Sequence, residues 1–231
     1  MTATYQVLIT GANRGIGLEF TRQYARDGWN VIACCRDLAQ AKDLQQLAQA
    51  YPNIKTYALD VADFDAIEAL AAALKDVKID ILINNAGVYP HSDLQAADAG
   101  DWLHAFKVNS MAPLKVATAF MPNIAASQLR KLVTLSSKMG SLDDNTSGGS
   151  YIYRSSKTAA NMVMKSLSID LQPYGIAVAV LHPGWVQTEM GGPGALIDAQ
   201  TSVSGLRQVI ANLDLANSGQ FIAYDGKAIN W

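Results

Sequence analysis

Residues 5–17, Tyr-Gln-Val-Leu-Ile-Thr-Gly-Ala-Asn-Arg-Gly-Ile-Gly, decide the fold. The run up to Thr10 is short and apolar, as a buried strand is, and a helical pattern follows Gly15. Glycine permits a tight turn, and the start of the helix offers free N–H groups and a positive dipole end. An ordinary strand–helix turn is the alternative, but this position in the chain favours a site for a dinucleotide diphosphate.

The alternation of short apolar runs and helical patterns continues beyond this turn. We predict strands over residues 5–10, 30–35, 55–59, 80–83, 132–135, 176–181 and 221–223. We predict helices over residues 15–27, 37–50, 63–74, 101–122, 152–172 and 203–213. The strands are apolar throughout, so we expect helices to cover both faces of the sheet.

The pattern therefore predicts an α/β protein with one domain over residues 1–231. Its architecture would be a Rossmann-type, doubly wound parallel sheet with helices on both faces. We expect a cofactor-binding half over about 1–90 and a catalytic and substrate-binding half over about 91–231. The expected loops are 89–100, 140–150 and 191–201.

Composition excludes several classes of protein. Half of the residues are hydrophobic (50%) and only 16% are charged, which is not the composition of a disordered chain. The 18 Lys and Arg residues nearly balance the 20 Asp and Glu residues, which argues against partners such as nucleic acid or a membrane surface. The two cysteines are adjacent, so we expect neither a structural disulfide nor a metal site. No signal peptide is visible and no apolar run approaches the ~18 residues of a membrane span, so we expect a cytoplasmic protein.

The end of the second strand indicates which nicotinamide cofactor is bound. An acidic residue there would bind the ribose 2′-hydroxyl of NAD, but the chain has Cys35 followed by Arg36. Arg14 in the glycine turn adds a second guanidinium, and two guanidiniums suit a phosphate dianion. The pair predicts NADP(H) over NAD(H), although Arg36 could instead pair with Asp37 or face solvent.

Candidate catalytic residues follow in the second half of the chain. Tyr153 and Lys157 are four residues apart, on one face of a predicted helix, where an ammonium can favour the phenolate of a general acid/base. Ser137 ends the preceding strand, at the edge where ligands bind such sheets. Pro113 lacks the N–H that would bond the Asn109 carbonyl, so we predict a distorted helix there and a carbonyl free to hold water.

These elements together resemble the short-chain dehydrogenase/reductase family over essentially the whole chain. The motifs are Thr10-Gly-x-x-x-Gly15-x-Gly17, Leu59-Asp60-Val61, Asn84-Asn-Ala-Gly87, Asn109, Ser137, Tyr153-x-x-x-Lys157 and Pro183-Gly184-x-x-x-Thr188. The segments Tyr153–Asn161, His182–Gly192 and Tyr224–Trp231 are similar to the C-factor-like and sniffer-like carbonyl reductases of that family.

The resemblance implies an NADP(H)-dependent oxidoreductase that transfers hydride between nicotinamide and a carbonyl or alcohol. Tyr153 would be the general acid/base, Lys157 would lower its pKa and hold the nicotinamide ribose, and Ser137 would position the carbonyl. Asn109 would bind a water that connects Lys157 to solvent. The implied cofactor-binding residues are Gly11, Asn13, Arg14, Gly15, Ile16, Gly17, Arg36, Asp60, Val61, Asn85, Ala86, Gly87, Tyr153, Lys157, Pro183, Gly184, Val186 and Thr188.

Alternative functions remain open. A cofactor-binding signalling or regulatory protein with little turnover would not need Ser137, Tyr153 and Lys157 together. A pterin reductase is disfavoured by the serines at 136 and 137, and an enoyl reductase by the Tyr–Lys spacing. The helix over 152–172 also carries Met162, Met164, Leu167 and Leu171, more than one core face needs, so we expect a homo-oligomer, a dimer or tetramer.

Overall fold

The computed structural model describes residues 5–231 and contains one parallel sheet. Its seven strands lie in the order β3-β2-β1-β4-β5-β6-β7, and every neighbouring pair is parallel. The strands are β1 Gln6–Thr10, β2 Asn30–Cys35, β3 Ile54–Ala58, β4 Ile81–Asn84, β5 Lys131–Leu135, β6 Ala177–His182 and β7 Gln220–Ala223. The predicted single-domain, Rossmann-type sheet is confirmed.

Within residues 5–231, seven α-helices cover the two faces of this sheet. They are α1 Gly15–Arg26, α2 Lys42–Ala50, α3 Phe64–Ala73, α4 Ala99–Phe106, α5 Ala112–Ala125, α6 Tyr151–Asp170 and α7 Ala199–Ala211. Alternate strand residues point to opposite faces, so Ile9 packs in one apolar core with α1, α2 and α7, whereas Leu8 packs in another with α3, α5 and α6. No helix among residues 5–231 is long and apolar enough to cross a membrane.

The strand order places a crevice beside the glycine turn. β1 pairs with β2 on one side and with β4 on the other, so the winding of the chain reverses there. In open parallel sheets, this reversal leaves a crevice at the carboxyl ends of the strands, where ligands bind. Thr10 and Asn84, the last residues of β1 and β4, therefore mark the candidate site.

Some helix boundaries differ from the predictions. The helix predicted over 37–50 begins only at Lys42, because the Asp37 carboxylate accepts the N–H groups of Ala39 and Gln40 (2.8 and 3.3 Å) in a local turn. The helix predicted over 203–213 begins earlier, at Ala199, because Asp198 caps it through the N–H of Thr201. The long helix predicted over 101–122 is two helices, α4 and α5, joined by a π-helical segment over Lys107–Met111.

Candidate active site

A cavity of about 680 Å³ opens at the carboxyl edge of the sheet and contains most of the predicted site residues. Those that line it are Gly11, Asn13, Arg14, Gly15, Ile16, Gly17, Arg36, Asp60, Val61, Asn85, Ala86, Gly87, Tyr153, Lys157, Pro183 and Thr188. Asn109, Ser137, Gly184 and Val186 are absent from the lining. Asn109 and Ser137 nevertheless contact residues of the cavity wall, as described below.

The glycine turn leaves a space that side chains at its glycine positions would fill. Gly11 and Gly15 adopt positive φ angles of 65° and 53°, a region that favours glycine. A Cβ atom on Gly17 would lie 2.2 Å from the Gly11 carbonyl oxygen, so the turn and α1 can pack together only without it. No side chain caps the start of α1, and its first turn has no acidic residue. Its N–H groups are thus disposed to bind an anion such as a dinucleotide diphosphate.

Asn85 and Thr10 hold the loop after β4 against this turn. The Thr10 hydroxyl accepts the N–H groups of Asn85 and Ala86 (3.0 and 3.1 Å). The Asn85 amide in turn donates to the carbonyls of Thr10 and Gly11 (2.9 and 3.0 Å). These bonds leave Ala86 and Gly87 on the cavity wall, with Ala86 packed closely against Gly11 of the glycine turn.

Two arginines bring positive charge to the cavity lining. Arg36 lines the cavity and makes no ion pair among residues 5–231, so the alternative of an Arg36–Asp37 pair is wrong. Arg14 pairs with Glu189, a lining residue that the sequence reasoning did not identify. Both partners of this pair are largely exposed to solvent.

Tyr153 lies buried in the wall of the cavity beside Ser137. Burial raises the pKa of Tyr153 to about 12, although a hydrogen bond with the Ser137 hydroxyl lowers it in part. The phenol is therefore held in its protonated form at neutral pH, which is the form that can donate a proton.

Lys157 follows one helical turn later and is also buried. Its Nζ atom donates to the Leu135 carbonyl at 2.8 Å and lies 5.7 Å from the centroid of the Tyr153 ring. Burial lowers the pKa of Lys157 itself to about 8. Burial of the phenol dominates the pKa of Tyr153, so the lowering by Lys157 that the resemblance implies does not outweigh it, and the Lys157 ammonium is held by the Leu135 carbonyl.

Tyr89 is an aromatic neighbour that the sequence reasoning missed. Its ring lies 4.3 Å from that of Tyr153, between centroids, and its hydroxyl bonds the Ser150 hydroxyl at 2.9 Å. Ser150 is the residue that precedes α6, so Tyr89 covers Tyr153 and is tied to the start of the helix that carries it. The one available signal was an aromatic residue just after the Asn84–Gly87 motif.

Asn109 lies in the π-helical segment, so the distortion predicted from Pro113 is confirmed. The buried Asn109 side chain accepts the N–H of Val88 and donates to the Val88 carbonyl and the Ser156 hydroxyl, all at 2.9 Å. It thereby joins the loop after β4, the π-helical segment and α6 next to Lys157. Asn109 thus contacts the neighbours of the site residues rather than the cavity itself.

Comparison with known proteins identifies the family. The model of the family described as short chain dehydrogenase matches residues 5–195. The chain belongs to the short-chain dehydrogenase family. Membership of this family makes it an oxidoreductase. Its cavity lies at the carboxyl edge of the sheet, where dehydrogenases of this fold bind a nucleotide.

Three similar proteins illustrate the range of this short-chain dehydrogenase's relatives. The C-signal of Myxococcus xanthus is 45% identical over 157 residues, which is 66% of this chain and 93% of that protein. The structure of the carbonyl reductase Sniffer of D. melanogaster is 36% identical, with a TM-score of 0.93, and the match covers 99% of this chain and 100% of Sniffer. The NADPH-bound carbonyl reductase from chicken fatty liver is 34% identical, with a TM-score of 0.92 and 99% of both chains covered.

The cavity lining of this dehydrogenase also contains residues that are not among the implied site residues. They are Asp37, Gln40, Leu59, Val88, His104, Val108, Leu135, Ser136, Gln187, Glu189 and Met190. His182 is not among the lining residues; its Nδ1 accepts the N–H of Lys138 (3.2 Å), and burial lowers its pKa to about 4. Within residues 5–231, no group of three His, Cys, Asp or Glu side chains is arranged to hold a metal ion.

Proposed function

We propose that this short-chain dehydrogenase reduces a small-molecule carbonyl substrate with NADPH, and that it runs the reverse oxidation of an alcohol when substrate levels favour it. The observation that carries the proposal is the buried Tyr153 phenol beside Ser137, in the wall of the same cavity as the glycine turn. The similarity to two carbonyl reductases, one of them NADPH-bound, supports the same reaction.

The cofactor would bind across the crevice between the carboxyl ends of β1 and β4. The glycine turn and the uncapped start of α1 would hold its diphosphate, and Asp60, Val61 and the backbone of residues 85–87 would line the adenosine and ribose groups. Pro183, Gly184, Val186 and Thr188 would support the nicotinamide end. When bound, this group supplies the hydride that reduces the substrate carbonyl carbon.

Tyr153 would supply the proton in the same reaction. The carbonyl oxygen gains negative charge as hydride reaches its carbon, and the phenol donates its proton to that oxygen. Ser137 would donate a hydrogen bond to the same oxygen and hold it against the phenol. Lys157, with its pKa near 8, would hold the nicotinamide ribose and pass a proton back to Tyr153 afterwards.

Asn109 would act on these groups by position. Its side chain fixes Val88 on the cavity wall and Ser156, which lies between Tyr153 and Lys157 in α6. The water that the sequence places at the Asn109 carbonyl would connect Lys157 to solvent, which is the path by which the used proton is replaced.

Arg36 supports NADP(H) over NAD(H) as the cofactor. Its guanidinium lines the cavity without an ion-pair partner among the described residues, at the end of β2 where the ribose 2′ position is bound in this fold. The 2′-phosphate of NADP(H) would supply an ion-pair partner for Arg36, whereas the 2′-hydroxyl of NAD(H) would leave the guanidinium in solvent.

A signalling or regulatory role with little turnover is the second candidate, and the similarity to the C-signal protein is the observation that favours it. Turnover separates the two. A binder that only senses nicotinamide nucleotides has no use for a buried phenol paired with Ser137, whereas a reductase requires it.

The active form would be a homo-oligomer. Met162 and Ile169 of α6 are 67% and 62% exposed, and Leu103, Met111 and Leu114 extend apolar surface over the neighbouring elements. Met164, Leu167 and Leu171 of the same region are instead buried in the core. The cytoplasmic location and the two functional halves, 1–90 and 91–231, stay predictions from the sequence.

A screen of aldehydes, ketones and quinones tests the proposed reaction. Each compound is incubated with the protein and NADPH, and the loss of NADPH absorbance is followed, with NADH run in parallel. We expect saturable oxidation of NADPH with at least one carbonyl class. If every carbonyl class gives only the background rate while NADPH binds, the signalling alternative is favoured.

A further inference from the structure

Glu189 lines the cavity beside the glycine turn. The loop after β6 packs on that turn, since a Cβ atom on Gly15 would lie 3.1 Å from Cγ2 of Thr188. The loop closes on itself, because the Thr188 hydroxyl accepts the N–H of Gly191 (3.1 Å) and the Thr188 carbonyl accepts that of Gly192 (2.9 Å). Glu189 is thereby held next to Arg14.

The Arg14–Glu189 ion pair joins the glycine turn to the loop after β6. Both side chains line the cavity, and they are 64% and 76% exposed. The other acidic lining residues, Asp37 and Asp60, accept backbone N–H groups within their own turns, whereas the Glu189 carboxylate bonds only Arg14 within the described part of the chain.

Arg14 cannot serve Glu189 and a phosphate group at once with the same guanidinium edge. An anion that binds Arg14 must therefore displace Glu189 or share the guanidinium with it. Exposed ion pairs are weak, so a phosphate dianion can win this competition, but the anion's affinity is lowered by the strength of the pair.

We propose that Glu189 is a specificity-determining residue that competes with the cofactor's 2′-phosphate for Arg14, and so weakens NADPH binding. The inference rests on the proposed function, because it takes NADPH as the ligand of this cavity. It assigns the loop after β6 a role in cofactor selection, beside its support of the nicotinamide end.

Calorimetric titration of NADPH and NADH into the cofactor-free protein tests this role. The variants are Glu189→Gln, Arg14→Ala and the double variant. Glu68→Gln is the matched control, because Glu68 is also exposed and also faces a cation, Lys115 at 3.9 Å, but lies outside the cavity lining. We expect Glu189→Gln to tighten NADPH binding about two- to fivefold, the range of an exposed ion pair, and NADH binding less.

Glu68→Gln should leave both affinities unchanged. In the Arg14→Ala background, Glu189→Gln should have little further effect, and the difference between wild type and Glu189→Gln should shrink in high salt. Unchanged or weaker NADPH binding by Glu189→Gln overturns this inference alone, as does equal tightening in the Arg14→Ala background. No saturable NADPH binding by the wild-type protein overturns the proposed function and this inference with it.

Discussion

Arg36 is the single residue on which the cofactor preference depends most. Its side chain lines the cavity and has no ion-pair partner among residues 5–231, so its replacement disturbs no internal contact of that kind. Arg36→Ala should weaken NADPH binding roughly ten- to a hundredfold, the effect of about 1.5–3 kcal/mol for a charge-assisted hydrogen bond. NADH binding should change little. Titration of both nucleotides measures this, and equal wild-type affinities for the two would contradict the preference.

Lys157 illustrates a conflict between stability and function within one side chain. Burial lowers its pKa from 10.5 to about 8, which corresponds to a cost of about 3 kcal/mol at neutral pH. This cost is present below pH 8, where the ammonium is charged in both the folded and unfolded states. It disappears between pH 8 and 10.5, because there the folded protein holds the neutral amine while the unfolded chain still binds the proton.

Lys157→Met should therefore raise the free energy of unfolding at pH 7 while it abolishes turnover. The net gain should be about 2 kcal/mol, because the bond to the Leu135 carbonyl is lost. Urea unfolding at pH 7 and pH 10 measures the gain, which should be smaller at the higher pH. A variant that is less stable than wild type at pH 7 would show that the buried ammonium carries no such cost.

At the scale of elements, the π-helical segment over Lys107–Met111 connects the loop after β4 to α6. Asn109 makes this connection through three hydrogen bonds to Val88 and Ser156. Asn109→Ala leaves buried polar groups without partners, so it should lower the free energy of unfolding by about 2–4 kcal/mol. It should also lower kcat more than it lowers cofactor affinity, because Ser156 precedes Lys157.

Asn123→Ala is a matched control for this variant. Asn123 is a buried asparagine of α5 whose amide donates to the carbonyls of Leu74 and Val77, outside the cavity lining. It should lose stability like Asn109→Ala but keep wild-type turnover well below its melting temperature. Equal kcat values for Asn109→Ala and Asn123→Ala would show that Asn109 contributes to stability but not to positioning of the catalytic residues.

The sequence predicts these elements unevenly, for physical reasons. Continuous apolar strands and the glycine turn are local patterns, so β1 and α1 appear where expected. Pro113 removes a specific N–H, so the distorted helix was also predictable. The start of α2 was not predictable from Asp37 alone. An Asp side chain can accept N–H groups at the start of a helix or in a turn, and the residues that follow determine which of the two forms.

The parts of the site that escaped prediction are contacts between distant loops. Tyr89 meets Tyr153, and Glu189 meets Arg14, only because the strands bring their loops to one edge of the sheet. The direction of the Tyr153 pKa shift escaped prediction for the same reason: the spacing to Lys157 is visible in the sequence, whereas the burial of the phenol is not.

At the scale of the whole molecule, the exposed apolar surface of α6 predicts association. Met162→Glu places a charge on this surface without disturbing the core, because Met162 is 67% exposed. Light scattering should show the variant at the mass of one chain and the wild type at a multiple of it. Leu215→Glu is the control, because Leu215 is also an exposed apolar residue but lies outside α6. This variant should keep the wild-type mass. A monomeric wild-type protein would contradict the expectation.

Tyr153→Phe tests the central claim, that this dehydrogenase reduces a carbonyl with a proton from Tyr153. The change removes only the hydroxyl and keeps the ring packed against Tyr89. The measurement is the rate of NADPH oxidation at saturating carbonyl substrate, with the dissociation constant of NADPH determined on the same preparation. The account predicts a kcat at least ~100-fold below wild type, as general acid catalysis requires, with NADPH affinity nearly unchanged. Wild-type turnover by Tyr153→Phe on every accepted carbonyl would contradict it.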